Sequence, residues 1–187
     1  MKAVKIVALG GSMKPGSASV MTLRTALDGV QAAGAEGELL EIRTLDLPIY
    51  TPDLSPTPGV MRLVEAVAAA DGLIWSSPVY HGGMSGAFKN ALDWLELLND
   101  REPKYLTDKP VGLISTAGGV QGLQAINSME FVVRALRGWT LPMVVPLDRA
   151  WQMIGPDGQL HDEALIAKLK QLGQDVVAAA ARLSRPL

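Results

Sequence analysis

Five short apolar runs are spaced along the chain and predict β-strands. Their residues are mostly Val, Ile, Leu and Ala, with little regular alternation between apolar and polar positions. Runs of this length and character are typical of strands that are buried on both faces of a sheet. The five runs are Ala3–Leu9, Glu38–Ile42, Gly72–Trp75, Val111–Ile114 and Leu141–Val145.

Apolar residues recur three and four positions apart between these runs, which is the spacing of one face of an α-helix. The stripes are Val20, Leu23, Leu27 and Val30; Val60, Val64 and Val67; Phe88, Leu92 and Leu95; Ile126, Met129, Val133 and Leu136; and Leu165, Leu169, Leu172 and Val176. Gly34 follows the first helix and Gly138 the fourth. Both glycines are predicted to end their helices in the left-handed conformation.

Strands and helices therefore alternate along the chain. This order predicts a parallel sheet with right-handed crossovers and helices on both faces. The sequence shows no internal repeat and no linker, and we interpret the proline-rich segment Leu47–Gly59 as a loop inside the domain. With 187 residues, the chain fits one domain, which we expect to span residues 1–187.

Composition narrows the chemistry that the chain can perform on its own. It contains no cysteine, which excludes disulfides, thiolate metal ligands and cysteine nucleophiles. Its two histidines, His81 and His161, are far apart in sequence, so we expect no histidine-based metal site. Any redox activity must therefore depend on a bound cofactor.

Charge and hydropathy set the expectations for partners. The chain carries 17 Lys and Arg residues against 19 Asp and Glu residues, a net charge of −2. It has no basic excess with which to bind nucleic acid or an anionic membrane. The first apolar stretch is too short for a signal peptide, and no run approaches the ~20 apolar residues of a membrane span. We expect a soluble, cytoplasmic protein.

Three loops rich in Gly, Ser or Pro follow the first, third and fourth predicted strands. They are Gly10–Ser19, Ser76–Ser85 and Ser115–Gly122. Ligands of open parallel sheets bind outside the carboxyl ends of the strands. We therefore expect the binding site to form where these three loops meet.

The first loop joins a strand to a helix and predicts an anion site. Unpaired helix amides, several hydroxyl groups and the Lys14 ammonium favour a phosphate there. A dinucleotide fingerprint fails because Ser12 stands where the second glycine is needed. A Walker A loop fails because Ser17, not Lys, follows Gly16. Two interpretations remain: a loop for a terminal monophosphate, and an ordinary turn whose serine caps the helix.

The other two loops are suited to a flat ligand. Tyr80 and His81 place planar groups at the rim of the sheet, and Gly82-Gly83 permits a close approach of the backbone. The alternative is that Tyr80 is a half-buried rim residue and His81 is solvated. The glycines and hydroxyls of Ser115–Gly122 are equally compatible with a flexible turn between strand and helix.

Three patches carry a resemblance to a known family. The first is Gly-Ser-Met-Lys-Pro-Gly-Ser-Ala-Ser at Gly11–Ser19. The second is Ser-Pro-Val-Tyr-His-Gly at Ser77–Gly82, which runs into Ser-Gly-Ala-Phe-Lys-Asn-Ala-Leu-Asp-Trp at Ser85–Trp94. The third is Ser-Thr-Ala-Gly-Gly at Ser115–Gly119. The order and spacing of these three patches resemble those of the NADPH-dependent FMN reductase family. The resemblance extends over essentially the whole chain. The resemblance implies a flavodoxin-like, three-layer α/β/α fold whose five-stranded parallel sheet has the order 2-1-3-4-5.

The resemblance also implies FMN as cofactor, NADPH or NADH as co-substrate, and a set of cofactor-binding residues in the three loops. The FMN phosphate would be held by Ser12, Lys14, Ser17 and Ser19. The ribityl chain and the isoalloxazine ring would be lined by Pro78, Val79, Tyr80, His81 and Gly82. The pyrimidine side of the ring would be contacted by Ser115, Ala117 and Gly118.

By the same resemblance, the protein is an oxidoreductase that passes hydride from NAD(P)H to FMN and electrons on to a flavin, quinone, azo or metal-oxyanion acceptor. It needs no catalytic side chain, because positioning the reactants supplies most of the effect. The alternative is a flavodoxin-type electron carrier without NAD(P)H turnover. A phosphate-binding hydrolase is not favoured, since the sequence has no Ser–His–Asp pattern with nucleophile-elbow spacing.

The resemblance finally implies a homodimer or homotetramer. The helix that carries Lys89, Asn90, Asp93 and Trp94 would lie at the interface. The helical pattern by itself leaves Trp94 open as either a core residue or an exposed anchor for another subunit.

Overall fold

The computed structural model describes residues 3–155, 157 and 159–184. Its strands are β1 Lys5–Gly10, β2 Glu36–Glu41, β3 Gly72–Tyr80, β4 Gly83–Met84, β5 Pro110–Thr116 and β6 Trp139–Leu147. Its α-helices are α1 Ala18–Ala32, α2 Pro58–Ala69, α3 Gly86–Asp93, α4 Gly122–Ala135 and α5 Glu163–Leu183. All the predicted strands and helices are therefore present, and β4 is an addition.

The long strands form a parallel sheet in the order β2-β1-β3-β5-β6. With β4 set aside, this is the order 2-1-3-4-5 of the flavodoxin-like prediction, which is confirmed. β4 is a two-residue arm that folds back antiparallel on the end of β3. β3 is longer than predicted, because its pairing with β5 continues through Ser77 and Pro78 towards the carboxyl end of the strand.

Helices cover both faces of the sheet, and each face has its own core. The core on one face is formed with α2, α3 and α4, and it contains the fully buried side chains of Trp75, Phe88 and Trp94. On the other face, α1 and α5 pack over residues such as Ile74 and Ile114. The sheet is thus buried on both sides, as the apolar strands require.

The closest helix packing is between α1 and α5, where glycines let the two backbones meet. A Cβ atom on Gly29 would overlap the carbonyl of Lys170, and one on Gly173 would overlap the carbonyl of Ala26. Any larger residue at either position would force the helices apart. The position of α1 against α5 is fixed at backbone level.

The helix ends agree with the sequence prediction at one glycine and differ at the other. Gly34 has a φ of 77° and follows α1 in the left-handed conformation, as predicted. The prediction for Gly138 was wrong, because Arg137 adopts the left-handed conformation with a φ of 66°. The amide of Gly138 instead donates to the carbonyl of Val133 at 2.9 Å. α4 therefore turns into β6 one residue earlier than a glycine cap would place it.

The structure settles the two possibilities for Trp94. Its side chain is fully buried, its indole N–H donates to the carbonyl of Pro48 at 2.8 Å, and its ring packs edge-on against Tyr50. Trp94 is a core residue that fastens the proline-rich loop to α3. Within the described ranges, no helix combines the length and the apolar character needed to cross a membrane.

Candidate functional site

A cleft of about 550 Å³ lies at the carboxyl ends of the parallel strands. Its size falls within the roughly 300–1,000 Å³ of small-molecule sites. The three loops selected from the sequence all contribute to it. The lining residues are Ser12, Lys14, Gly16, Ser17, Ala18, Ser19, Met21, Pro78, Val79, Tyr80, Thr116, Ala117, Gly118, Ala150, Trp151 and Ile154.

The N-terminus of α1 forms one end of this cleft. Ser17 caps the helix, and its hydroxyl accepts from the amide of Val20 at 3.3 Å. The hydroxyl of Ser12 accepts from the amide of Lys14 at 3.2 Å, which holds the loop in a turn. The first turn of α1 contains no acidic residue. Helix amides, the positive end of the helix dipole and one ammonium group therefore face the same end of the cleft, which suits an anion.

A buried network of hydroxyl groups lies at the base of the same end. The hydroxyls of Ser19 and Thr116 are 2.9 Å apart, and those of Thr22 and Ser76 are 3.2 Å apart. Thr22 also donates to the carbonyl of Ser19 at 3.0 Å, so Ser76 must donate to Thr22. This network joins α1 to the middle of β3 and to the end of β5. It fixes the hydroxyl of Ser19 against the sheet.

Lys14 differs from the other cations near the strand ends because no carboxylate in the described part of the chain pairs with it. Arg24 and Arg43 both bind Glu41, at 3.2 and 2.9 Å respectively. Lys14 has no ion-pair partner among residues 3–155, 157 and 159–184. Its side chain is exposed at the edge of the cleft, so its charge is available to a ligand.

The second loop is a hairpin rather than an open turn. β4 pairs with the end of β3 through Val79 and Tyr80, which leaves His81 and Gly82 as the two residues of the turn. Both have positive φ angles, 51° and 81°, as a type I′ hairpin requires. Pro78, Val79 and Tyr80 line the cleft, whereas His81 and Gly82 lie at the tip of the hairpin and are not part of its lining.

In the third loop, too, only some of the predicted residues line the cleft. Ala117 and Gly118 line the cleft. Ser115 is fully buried, and its hydroxyl donates to the carbonyl of Gly122 at 2.8 Å, so it supports the loop from below. The amide of Ala117 donates to the carbonyl of Leu147 at 2.8 Å and is not free for a ligand. A side chain on Gly118 would meet open space, because, apart from Gly118 and its two chain neighbours, no described residue has an atom within 4 Å of the Cβ position.

The sequence analysis missed a fourth segment of the lining, which follows β6. Ala150, Trp151 and Ile154 come from this segment. Ligands can bind beyond the carboxyl end of the fifth parallel strand as well as beyond the others. The segment after β6, however, lacks the cluster of Gly and Ser by which the other three loops were recognised. Met21 and Thr116 also line the cleft and were not singled out. In the part of the chain that the structure describes, no cluster of His, Asp or Glu suits a metal ion.

Comparison with known proteins adds the identity of the family. Residues 4–152 match the sequence profile of the NADPH-dependent FMN reductases. The chain belongs to this family. The resemblance found in the three loops is thereby confirmed, and with it the class of activity. Members of the family are oxidoreductases that depend on FMN and NADPH.

Two relatives show how far the likeness to this reductase family extends. The chain is 36% identical over 145 residues to an NADPH azoreductase from Bacillus sp. (strain OY1-2), covering 76% of this chain and 74% of that protein. It is 29% identical over 201 residues to an NADPH:quinone oxidoreductase from Arabidopsis thaliana, covering 96% of this chain and 93% of that protein.

A solved structure shows the same fold at lower identity. An oxidoreductase from Corynebacterium diphtheriae superposes with a TM-score of 0.75 and 18% identity, covering 96% of this chain and 98% of that protein. At this identity the likeness shows the fold alone. It agrees with the three-layer architecture and the strand order of the reductase described here.

Proposed function

We propose that the cleft binds FMN and that residues 1–187 act as one FMN-binding domain. The observation that carries this proposal is the arrangement of the lining. One end has an anion-binding helix end and Lys14, which has no ion-pair partner among the described residues, and the other end has an open glycine loop. A mononucleotide with a phosphate and a flat ring has the matching chemistry. The cleft is also in the size range of small-molecule sites.

The phosphate end of the proposed site is formed by Ser12, Lys14, Ser17 and Ser19. Amides at the start of α1 and the Lys14 ammonium would donate to the phosphate oxygens. Lys14 is a point charge and lacks the planar fork of an arginine. FMN would therefore be held by charge and by amides rather than by bidentate contacts.

The ring end of the proposed site is formed by two loops. Pro78, Val79 and Tyr80 would line one side of the isoalloxazine, and Ala117 and Gly118 would face its pyrimidine part. His81 and Gly82 would act from the hairpin tip, by shaping the turn that presents Tyr80. Ser115 would act from below, by holding the third loop through Gly122.

Bound FMN supplies two-electron chemistry: NADPH loses a hydride equivalent and becomes NADP⁺, and an acceptor takes the two electrons. The side chains of this protein need only position the reactants, because proximity and orientation provide most of the rate enhancement. We assign no catalytic side chain. The names of the two relatives described above favour azo compounds and quinones as acceptors.

One experiment tests this assignment directly. The visible spectrum of the purified protein is recorded without oxygen, before and after addition of NADPH. Flavin bands that bleach with NADPH support the proposed reductase. Bands that persist would favour an electron carrier without NADPH turnover, and a colourless protein that takes up no added FMN would contradict the proposed site.

We further infer that the protein forms a homodimer through α3 and α4. A cleft of about 740 Å³ between these helices is lined by the Lys89–Asp93 ion pair and by apolar residues that include Phe131, whose side chain is 69% exposed. A second copy would cover this aromatic surface. Light scattering coupled to size exclusion is expected to show a dimer for the wild type and a monomer for Phe131→Glu.

The proposal places the protein in the cytoplasm, where NADPH is available, with small molecules as its substrates and without nucleic-acid or membrane partners. Cell fractionation with an antibody against the chain tests the location. Recovery of the protein in a washed membrane fraction would contradict it.

A further inference from the structure

Trp151 has no role in the proposed FMN contacts, yet its side chain lies at the cleft and is 66% exposed. Tyr80, at 59% exposure, is the other large aromatic side chain of the lining. Of the remaining tryptophans, Trp75 and Trp94 are buried in the core, and Trp139 is exposed at the opposite end of β6. An indole facing solvent at a ligand cleft is suited to cover a planar molecule.

The backbone holds Trp151 in place even though its side chain is free. The amide of Ala150 donates to the carbonyl of Ala117, and the amide of Arg149 donates to the carbonyl of Gly119, both at 2.9 Å. Ala150 is itself buried. The residue that carries the indole is therefore joined, through the two residues before it, to the third loop of the cleft.

Trp151 belongs to a different segment of the chain from the proposed cofactor contacts, although it lines the same cleft. Those contacts come from the loops after β1, β3 and β5, which surround the centre of the sheet. Trp151 follows β6, an edge strand, and its neighbour on the lining is the apolar residue Ile154. Trp151 adds an aromatic, uncharged surface to the lining of the cleft.

We propose that Trp151 is the residue that binds a planar aromatic electron acceptor, by stacking of its indole on the acceptor ring. This inference rests on the proposed function, since it assumes that FMN occupies the cleft. Trp151 selects among acceptors, whereas the loops after β1, β3 and β5 hold the cofactor. The indole contributes one stacking contact, which is worth about tenfold in affinity.

The test compares Trp151→Ala, Trp151→Phe and the matched control Trp139→Ala, each loaded with FMN. Menadione serves as a planar two-ring acceptor and ferricyanide as a compact acceptor that cannot stack. We expect Trp151→Ala to lower the ratio of kcat/KM for menadione to that for ferricyanide about tenfold, through KM for menadione. Trp151→Phe restores most of the ratio, and Trp139→Ala leaves it unchanged.

A binding measurement without turnover accompanies the kinetics. Menadione is titrated calorimetrically into the oxidised, FMN-loaded protein in the absence of NADPH, and its Kd is expected to rise about tenfold in Trp151→Ala. An unchanged menadione Kd and KM would overturn the inference. So would a matching loss of FMN affinity, which would make Trp151 a cofactor contact, or a selective rise in KM for NADPH. A wild-type protein that binds FMN but never oxidises NADPH would refute the proposed function instead.

Discussion

The hydroxyl of Ser19 at the start of α1 and the hydroxyl of Thr116 at the end of β5 are 2.9 Å apart, and both are buried. These residues are 97 positions apart in sequence. Their hydrogen bond joins the phosphate end of the cleft to its ring end. The two ends of the proposed FMN site are therefore positioned by one shared contact.

Replacing Thr116 with Val tests this contact. The substitution keeps the shape of the side chain but leaves the buried hydroxyl of Ser19 without its partner. We expect a loss of about 1–3 kcal/mol in the free energy of unfolding and a weakening of FMN binding by about three- to tenfold. Urea denaturation and equilibrium dialysis measure the two effects. Thr116→Ser, which retains the hydroxyl, serves as the control, and equal behaviour of the two variants would contradict the prediction.

Replacing Lys14 with Ala is expected to weaken FMN binding by about 10- to 100-fold, because one charge-assisted contact of about 1.5–3 kcal/mol is lost. Riboflavin, which lacks the phosphate, provides the matched ligand. Its affinity should be the same in both proteins. An FMN affinity that does not change in equilibrium dialysis would show that Lys14 does not contact the phosphate.

Replacing Gly118 with Val is expected to abolish FMN binding without unfolding the protein. Apart from Gly118 and its two chain neighbours, no described residue has an atom within 4 Å of the Cβ position at Gly118, so the new side chain enters the cleft rather than the core. Circular dichroism and thermal denaturation check that the fold is retained, and the flavin absorbance reports binding. A folded variant that remains fully yellow would refute the placement of the ring beside Gly118.

Replacing Lys109 with Met is expected to destabilise the fold. Lys109 is buried, and its ammonium group donates to the carbonyls of Val67, Ala68 and Ala70 at 2.9, 2.7 and 2.5 Å, where α2 ends. Met fills a similar volume but cannot donate, so we expect a loss of about 2–4 kcal/mol. Urea denaturation measures the change. Lys168→Met, at an exposed position on α5, is the control. An equally small effect in both variants would show that the hydrogen bonds from Lys109 to the end of α2 do not stabilise the fold.

Acid is expected to weaken the fold partly through Glu38. Burial by itself would raise the pKa of Glu38, but the hydrogen bond from Lys5 at 2.9 Å and the charges of Arg62 and Lys5 outweigh it, so its pKa lies below the ordinary value of 4.5. The folded state therefore binds this proton less readily than the unfolded state does. The resulting stabilisation is complete well above pH 4.5 and is lost as the pH falls through the lowered pKa.

Thermal denaturation between pH 7 and pH 3 checks this contribution in Glu38→Gln. The variant should have a lower Tm than the wild type at pH 7, and the difference should shrink towards pH 3. Glu36→Gln is the control. It removes an exposed carboxylate from the same strand, and this carboxylate has no ion-pair partner in the described part of the chain, so its Tm should stay close to that of the wild type. A constant difference across the pH range would exclude Glu38 as a source of the acid sensitivity.

The sequence predicted those parts of the site that depend on local structure. The loop that ends at Ser17 was predicted because a strand, a glycine-rich turn and a helix cap follow one another directly along the chain. The turn at His81-Gly82 was not predicted, because it depends on Gly83 and Met84 pairing back onto β3. The burial of Ser115 was also not evident from the sequence, since only the register between β5 and its neighbours determines which way its side chain points.

Trp151 escaped the sequence analysis for a different reason. The segment after β6 carries no excess of Gly or Ser, and it reaches the cleft through backbone hydrogen bonds from Arg149 and Ala150 to the loop after β5. Such bonds involve no particular side chain. The amino-acid sequence therefore gives little indication of these hydrogen bonds. The strand order that brings β5 and β6 together was predicted correctly.

The direct contact between α1 and α5 has a consequence for redesign of this protein. Gly29 and Gly173 bring the two helix backbones together in the second half of α1, so a larger residue at either position would separate the helices. The segment that carries Trp151 is joined to the loop after β5 by two backbone hydrogen bonds and contributes the buried Ala150 to the core, whereas the side chain of Trp151 is exposed and can be exchanged separately. An engineer who wants a different range of acceptors should therefore graft new residues at 151–154 and leave both helices untouched.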